Sequence, residues 1–516
     1  MPARHLSERQ GGKHSSHGAL ALGRIEPDMH RSLCILALVW AGAASAAPAL
    51  RDDPLPPTVA AALAQVGLPD DALAAIALPL TTRWARPWQF RASVPAQPGS
   101  VMKLVTAVVA LDRLGPNHRG RTELFAAGPI VGDMLNGDLV LKGGADPAFG
   151  LPELWQLLFE LRQRGVREIG GDLVLDRSLF RPARIDVGLP PFDEAPEWPY
   201  NVIPDALMLS GNLMGLALSS IGPGIQARLA PPLEGISVDA SAMTLSDTPC
   251  ADWDDDWLPA VIDATPGAGF RIGLRGSFAR RCEAKADLQL LDRDIVAERQ
   301  VRAVWASLGG SWRKPPGGVR EGATQSDASL VATHEGPTWG EMLRPVIKQS
   351  DNVLTRLLYL QLGVAAMAQN PGTPTRELAH REVERWFDQQ RIDRSGLVLD
   401  NGSGLSRSER IMPRTLALML KAAHAGKHAP ELLMSLPVAG VDGTLRRRLK
   451  GTPAEGWARL KTGTLRNVTA LAGYVRDTRG DTWVLVAMIN HDQAANGRPA
   501  LDALVEWLAT SGARWR

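Results

Sequence analysis

The sequence has little net charge, few cysteines and almost no long hydrophobic runs. Its 516 residues carry a net charge of +2, and three of them are cysteine. Charge this close to zero predicts no strong electrostatic attraction to nucleic acid or to acidic membranes. Beyond residue 46 no stretch is apolar for long enough to span a bilayer, so no integral membrane segment is expected there.

The first residues instead have the pattern of a signal peptide. Residues 33–44 form a short apolar run, and Ala44-Ser45-Ala46 has the small-x-small form of a cleavage site. We therefore assign residues 1–46 to a signal peptide and expect the mature chain to be exported. The polar stretch before the run is long, so translation from Met1 and translation from Met29 both remain open.

Two cysteines, Cys250 and Cys282, remain after the predicted cleavage. In an exported chain two cysteines favour a single disulfide, with two free thiols as the alternative.

One stretch has the features of a catalytic helix. Pro98-Gly99 breaks the chain before Ser100, and the following run from Met102 to Leu111 contains Lys103 as its only charge. A helix that begins at Ser100 places Ser100 and Lys103 on one face, one turn apart. Burial among apolar residues lowers the pKa of a lysine, and a neutral lysine can take a proton from a hydroxyl. We also expect the charge of Lys461 to lower the pKa of Lys103.

Two further motifs occur in the C-terminal half. Ser350-Asp351-Asn352 lies between two predicted helices, where a serine can relay a proton and an asparagine can hold an amide. Lys461-Thr462-Gly463-Thr464 ends a predicted strand and offers a charge, hydroxyls and a backbone that a ligand can approach closely. Taken alone, the first motif is also a common helix N-cap, and the second also fits an edge strand with a lysine.

The three motifs in this order are typical of β-lactamases and penicillin-binding proteins. The chain resembles more narrowly the penicillin-binding protein 4 group of D-alanyl-D-alanine carboxypeptidase/endopeptidases. That match also depends on residues 402–407 (Gly-Ser-Gly-Leu-Ser-Arg), on residues 435–445, and on a long insertion between the first two motifs.

The strand and helix patterns and this resemblance predict an α+β fold. A penicillin-binding (β-lactamase/transpeptidase-like) domain of helices and an antiparallel sheet is expected from residues 47–118 and 323–516. Residues 119–322 are predicted to be a β-rich insertion with two nested sub-domains.

The resemblance implies a serine peptidase that acts through an acyl-enzyme on peptidoglycan stem peptides and cross-links in the periplasm and that β-lactams acylate. An enzyme of this kind needs no cofactor and no metal. The resemblance implies that Ser100 is the nucleophile, Lys103 the base and Ser350 a proton relay. It also implies that Asn352 binds an amide of the substrate and that Lys461 is a polarising cation. It assigns substrate binding to Thr462, Gly463 and Thr464.

The chain departs from the group's pattern in three places. Asn401 replaces an aspartate before Gly-Ser-Gly-Leu-Ser, and Thr355-Arg356 replaces Ala-Glu after the second motif. Val202 stands where an acid of the side-chain subsite is expected, which leaves the nearby Asp205 as the candidate for that role.

Two other functions are compatible with the same motifs. A serine β-lactamase would need a glutamate-activated water, and no glutamate motif of that kind lies between Asn352 and Lys461. A catalytically silent peptidoglycan-binding protein would not need the intact motifs. The balance of carboxypeptidase and endopeptidase activity, and the oligomeric state, are left open.

Overall fold

The computed structural model describes residues 51–80, 85–265, 269–313 and 317–511. The predicted signal peptide and its cleavage site lie outside these residues, and so do residues 81–83, where the polar sequence Thr-Thr-Arg predicts a turn. Among the described residues no helix combines the length and the apolar character needed to cross a membrane.

Ten α-helices are present in the described residues. They are α1 Pro57–Gln65, α2 Lys103–Arg113, α3 Leu151–Gln163, α4 Arg293–Ser307, α5 Trp339–Lys348, α6 Asn352–Val364, α7 Thr375–Gln389, α8 Pro413–Ala425, α9 Ala429–Ser435 and α10 Arg498–Ser511.

The described residues also contain 21 strands. They are β1 Leu73–Pro79, β2 Trp88–Phe90, β3 Arg119–Ala127, β4 Ile130–Val131, β5 Met134–Leu135, β6 Asp138–Gly144, β7 Glu168–Ile169, β8 Leu173–Asp176, β9 Met214–Ser219, β10 Gln226–Leu229, β11 Ile236–Asp239, β12 Met243–Ser246, β13 Trp257–Thr265, β14 Gly269–Ala279, β15 Glu283–Leu288, β16 Ser311–Trp312, β17 Val319–Glu321, β18 Ser329–Thr338, β19 Arg459–Leu465, β20 Val468–Arg476 and β21 Thr482–Asn490.

A five-stranded antiparallel sheet joins both ends of the chain, in the order β19-β20-β21-β1-β2. Successive side chains of its central strands enter two different hydrophobic clusters. Val484 and Val486 pack with α2, α5, α6 and α8, whereas Leu485 and Ala487 pack with α1 and α10. Alternate residues of a strand face opposite sides of a sheet, so helices cover this sheet on both faces.

The region between α2 and α5 is rich in strands and contains four further sheets. Two separate hydrophobic clusters stabilise it, one around Leu139 and Trp305 and the other around Leu216 and Phe278. The strand β18 begins after residue 322, where we placed the end of the insertion, yet it pairs with β3 inside it. The division of the chain into domains stays a prediction.

The sulfur atoms of Cys250 and Cys282 are bonded to each other, and the two Cα atoms lie 5.4 Å apart. The bond joins the short helical turn before β13 to the start of β15 within the second of these clusters.

Candidate active site

Ser100 lies on a single 3₁₀ turn, Gly99–Met102, that leads directly into α2. The turn packs tightly against β19. A Cβ atom on Gly463 would lie 2.6 Å from the carbonyl oxygen of Pro98 and 3.1 Å from the backbone nitrogen of Ser100. Only glycine allows this approach, and it brings the backbone N–H of Ser100 close to the end of the β19 strand.

Lys103 begins α2 and is completely buried. Its Nζ lies 3.0 Å from Ser100 Oγ, 2.6 Å from Asn352 Oδ1 and 2.5 Å from the backbone oxygen of Ser403. Burial lowers the pKa of Lys103 from 10.5 to about 7, and the positive charge of Arg356 acts in the same direction. The negative charges of Glu409 and Asp351 oppose the shift. A lysine with this pKa is neutral in about half of the molecules at neutral pH and can accept a proton.

In the triplet at residues 350–352, the middle side chain stabilises a helix and the other two contact the site. Asp351 caps α6, since its carboxylate accepts a hydrogen bond from the N–H of Leu354 at 2.8 Å. Ser350 adopts a positive φ of 65° in the turn that precedes the cap. The side chains of Ser350 and Asn352 are thereby left free of the capping role, and each contacts one of two buried lysines.

Lys461 is the second of these lysines, and it lies on β19. Its Nζ donates hydrogen bonds of 2.7 Å to Ser350 Oγ and to the backbone oxygen of Thr462. Burial lowers the pKa of Lys461 well below 10.5, and the nearby Lys103 lowers it further. We expected Lys461 to depress the pKa of Lys103. The repulsion between the two lysines contributes to the lowered pKa of Lys461, and the cation that lowers the pKa of Lys103 is Arg356.

Thr462, Gly463 and Thr464 follow Lys461 along the strand. Gly463 is buried against the Ser100 turn, Thr464 is exposed, and Thr462 donates a hydrogen bond to the hydroxyl of Thr444 at 2.8 Å. The structure therefore brings all eight candidate residues, five catalytic and three substrate-binding, into one site.

Glu409, which no sequence pattern singles out, is completely buried beside this site. Its carboxylate accepts hydrogen bonds from the N–H groups of Gly402 at 2.8 Å and of Gly404 at 2.9 Å, and from two more N–H groups just before them. Burial raises the pKa of Glu409. The carboxylate fixes the loop that presents the Ser403 oxygen to Lys103. A single glutamate several residues from a motif has no local pattern that distinguishes it.

Asp205 does not belong to this site, and the assignment of a side-chain subsite to it is wrong. Its carboxylate is fully buried and lies 3.0 Å from Arg177 Nε and 2.5 Å from Arg293 Nη1. It also accepts a hydrogen bond from the N–H of Leu207. A carboxylate that is fully buried and already paired with two guanidinium groups is not accessible to a ligand ammonium. The neighbouring Tyr200 does approach the site, through a 3.4 Å contact of its backbone oxygen with Asn352.

The antiparallel sheet between helices, with a serine and a lysine one turn apart where a buried helix begins, defines the penicillin-binding fold. The predicted α+β fold class is confirmed. The chain belongs to the D-Ala-D-Ala carboxypeptidase 3 (S13) family, whose sequence pattern matches residues 55–511. This membership confirms the predicted family and, with it, a D-Ala-D-Ala carboxypeptidase.

Individual relatives agree with this family. The chain is 29% identical over 391 residues to a D-alanyl-D-alanine carboxypeptidase of Actinomadura sp. (strain R39), covering 74% of this chain and 71% of that protein. It is 26% identical over 400 residues to D-alanyl-D-alanine carboxypeptidase DacB of Haemophilus influenzae, covering 76% and 80%. Among solved structures, penicillin-binding protein 4 (dacB) of Haemophilus influenzae superposes with a TM-score of 0.70 at 24% identity. That match covers 87% of this chain and 99% of the other.

Proposed function

We propose that this carboxypeptidase cleaves both terminal D-alanine and D-alanine cross-links of peptidoglycan, through an acyl-enzyme on Ser100, and that β-lactams acylate the same serine. One observation carries the proposal. The hydroxyl of Ser100 lies 3.0 Å from a buried lysine whose pKa is lowered to about 7. A neutral amine at hydrogen-bond distance is what an unactivated serine hydroxyl needs to become a nucleophile.

In the first step Ser100 Oγ bonds to the carbonyl carbon of the penultimate D-alanine while its proton moves to Lys103 Nζ. The carbonyl oxygen gains negative charge, which the backbone N–H groups of Ser100 and Thr464 stabilise. A Cβ atom on Gly99 would lie only 3.4 Å from the nitrogen of Thr464, so the two backbones are close enough to form such a pair of donors.

In the second step the C–N bond breaks, and the leaving amine needs a proton. Ser350 Oγ can transfer its proton to the amine, and the proton that Lys103 took from Ser100 then replaces it, so Lys103 is neutral again. Lys461 Nζ, 2.7 Å from Ser350 Oγ, holds that hydroxyl in place. Asn352 and the strand from Thr462 to Thr464 hold the peptide and its terminal carboxylate. Water then attacks the ester, Lys103 accepts a proton from it, and Ser100 Oγ recovers a proton as the stem peptide leaves.

The reaction indicates the substrate, and the signal-peptide pattern indicates the compartment. D-Ala-D-Ala ends and the cross-links made from them belong to peptidoglycan, and the signal-peptide pattern in residues 1–46 supports export to the periplasm, where peptidoglycan lies. The Haemophilus influenzae protein has been solved in complex with a β-lactam, which supports β-lactams as inhibitors of this chain too.

Labelling with fluorescent penicillin tests the proposal. Wild-type protein should acquire a stable label, and Ser100→Ala should acquire none while keeping its circular dichroism spectrum and melting temperature. A transient label would indicate a β-lactamase, and no label on folded wild-type protein would indicate a silent binding protein. Labelling of Ser100→Ala at the wild-type rate would show that another residue is the nucleophile.

Digestion of purified muropeptides, followed by mass spectrometry, tests the substrate. Loss of a single terminal D-alanine reports carboxypeptidase activity, and conversion of cross-linked dimers into monomers reports endopeptidase activity. Dimers that stay intact beside trimmed monomers would contradict the endopeptidase part of the proposal.

A further inference from the structure

A cavity of about 520 Å³ lies behind the loop that carries Ser403. One wall comes from the strand-rich region, at residues 185–204 and 289–293. The opposite wall comes from the helices and loop at residues 356–360 and 400–407. Its volume is in the range of pockets that hold small organic ligands. None of the five proposed catalytic residues lines it.

Four side chains that line the cavity have a buried polar atom without a hydrogen-bond partner among the described residues. These atoms are Arg356 Nε, Tyr359 Oη, Asn201 Oδ1 and Gln289 Oε1. Arg356 is 8% exposed and Tyr359 is 1% exposed, so bulk water does not satisfy them. Buried polar groups in native proteins are normally paired, and four unpaired atoms around one cavity point to a ligand that pairs them.

The charges of the lining leave a positive excess. Arg293 pairs with Asp205 at 2.5 Å, Asp186 pairs with Arg184 at 2.8 Å, and Arg376 lies 3.3 Å from Asp400, so these charges are balanced. Arg356 forms no ion pair among the described residues. Its Nη1 only donates to backbone oxygens, with the oxygen of Val202 at 3.2 Å. Asp400 and Glu409 act on the charge of Arg356 without forming an ion pair with it. A buried guanidinium with no carboxylate in direct contact favours an anionic partner.

The unpaired atoms also indicate which polar groups the ligand carries. Arg356 Nε and the hydroxyl of Tyr359 are donors that suit a carboxylate, because burial raises the pKa of Tyr359 and keeps its proton in place. The oxygens of Asn201 and Gln289 are acceptors that suit an N–H group. Apolar side chains supply much of the remaining wall, namely Ile185, Leu189, Phe192, Ile203, Leu360 and Leu405.

We propose that this cavity is a second ligand-binding site, separate from the Ser100 site, for an N-acylated amino acid. The carboxylate binds Arg356 and Tyr359, the amide N–H binds Asn201 or Gln289, and the apolar side chain fills the remaining volume. The proposal does not depend on the reaction at Ser100.

Calorimetry with N-acetylphenylalanine as the probe tests it, with N-acetylphenylalaninamide as the uncharged match. The acid should bind at least about tenfold more tightly than the amide, because a hydrogen bond to a charged group adds enough affinity for that ratio. Binding should persist after penicillin has acylated the protein, and in Thr462→Val, which alters only the Ser100 site. Binding that disappears in either case would place the probe in the Ser100 site and overturn the proposal.

Tyr359→Phe is the decisive variant, since it removes a hydroxyl that has no partner and should fold as well as wild type. It should weaken binding of the acid about tenfold and leave penicillin acylation unchanged. Tyr474→Phe is the matched control. Its buried hydroxyl donates to the oxygen of Leu420 at 2.8 Å, far along the chain from the cavity residues, so stability should fall while affinity stays the same.

Arg356→Gln, checked for folding by circular dichroism, should abolish the preference for the acid over the amide. Equal affinity of wild type, Tyr359→Phe and Arg356→Gln for the acid would overturn the site, and so would the absence of heat at millimolar probe with folded wild type. Neither result bears on whether penicillin labels Ser100 in the wild-type protein. Failure of this proposal can therefore be distinguished from failure of the proposed function.

Discussion

The lowered pKa of Lys103 predicts how the rate of acylation depends on pH. With a pKa of about 7, the neutral fraction of Lys103 is about 1% at pH 5, about 10% at pH 6 and about half at pH 7. If neutral Lys103 is the base, acylation by penicillin should rise about tenfold per pH unit between pH 5 and 6 and level off above about pH 8.

The assay is the second-order rate constant for labelling by fluorescent penicillin between pH 5 and 10, with circular dichroism at each pH to confirm folding. Lys103→Arg should fail to acylate at every pH, because a guanidinium stays protonated. Arg356→Gln should move the midpoint to higher pH, because it removes a positive charge that disfavours the ammonium form of Lys103.

Three results would refute this reasoning. A midpoint near the pKa of a free lysine, about 10.4, would mean that the base is not a depressed lysine. Normal acylation by Lys103→Arg would remove the residue from the chemistry. A midpoint that moved to lower pH in folded Arg356→Gln would contradict the electrostatic account of the shift.

Two substitutions beside the site and the loss of one bond outside it give three further predictions. Gly404→Ala should reduce labelling at least about a hundredfold, because its Cβ would lie 1.9 Å from the oxygen of Gly99 and displace the Ser100 turn. Gly451→Ala is the control, because this glycine also has a positive φ but has nothing within 4 Å of an added Cβ. It should lower stability by only about 1–2 kcal/mol and leave labelling unchanged. Glu409→Gln removes the acceptor for the N–H of Gly404, so denaturant titration should show a loss of about 1.5–3 kcal/mol and labelling should slow; unchanged values would show that the loop does not need the carboxylate. Reducing or replacing the Cys250–Cys282 bond should lower the free energy of unfolding by about 2–4 kcal/mol, and two free thiols in exported protein by mass spectrometry would contradict it.

The site could be predicted from the sequence wherever the chemistry is local. The spacing of Ser100 and Lys103 places them one turn apart whatever the rest of the chain does, and short, mostly apolar runs correspond to β20 and β21. The three motifs needed only their order along the chain to be recognised together. Spacing does not say which long-range charges reach the site.

The residues that sequence reasoning missed or misplaced act across long separations. Glu409 contacts backbone groups of a loop, and any residue type nearby could have been placed in that position by the fold. Asp205 lies close in sequence to a stretch that reaches Asn352, yet its side chain turns to Arg177 and Arg293. Its position in the sequence indicates that the backbone passes near the site. That position does not determine the direction in which the carboxylate points.

The two departures from the group's pattern beside the site have different physical consequences. Asn401 keeps the role of an acid in a turn, since its Oδ1 accepts from the N–H and hydroxyl of Ser403 and its amide donates to the oxygen of Leu405. Asn401 therefore adds no negative charge to the one that Glu409 already supplies to this loop. Arg356, in the stretch where the resemblance leads us to expect Ala-Glu, adds a positive charge. Both changes make the surroundings of Lys103 less negative, and a less negative environment favours the neutral amine. The departures that weaken the match to the family pattern thus act in the direction that the base requires.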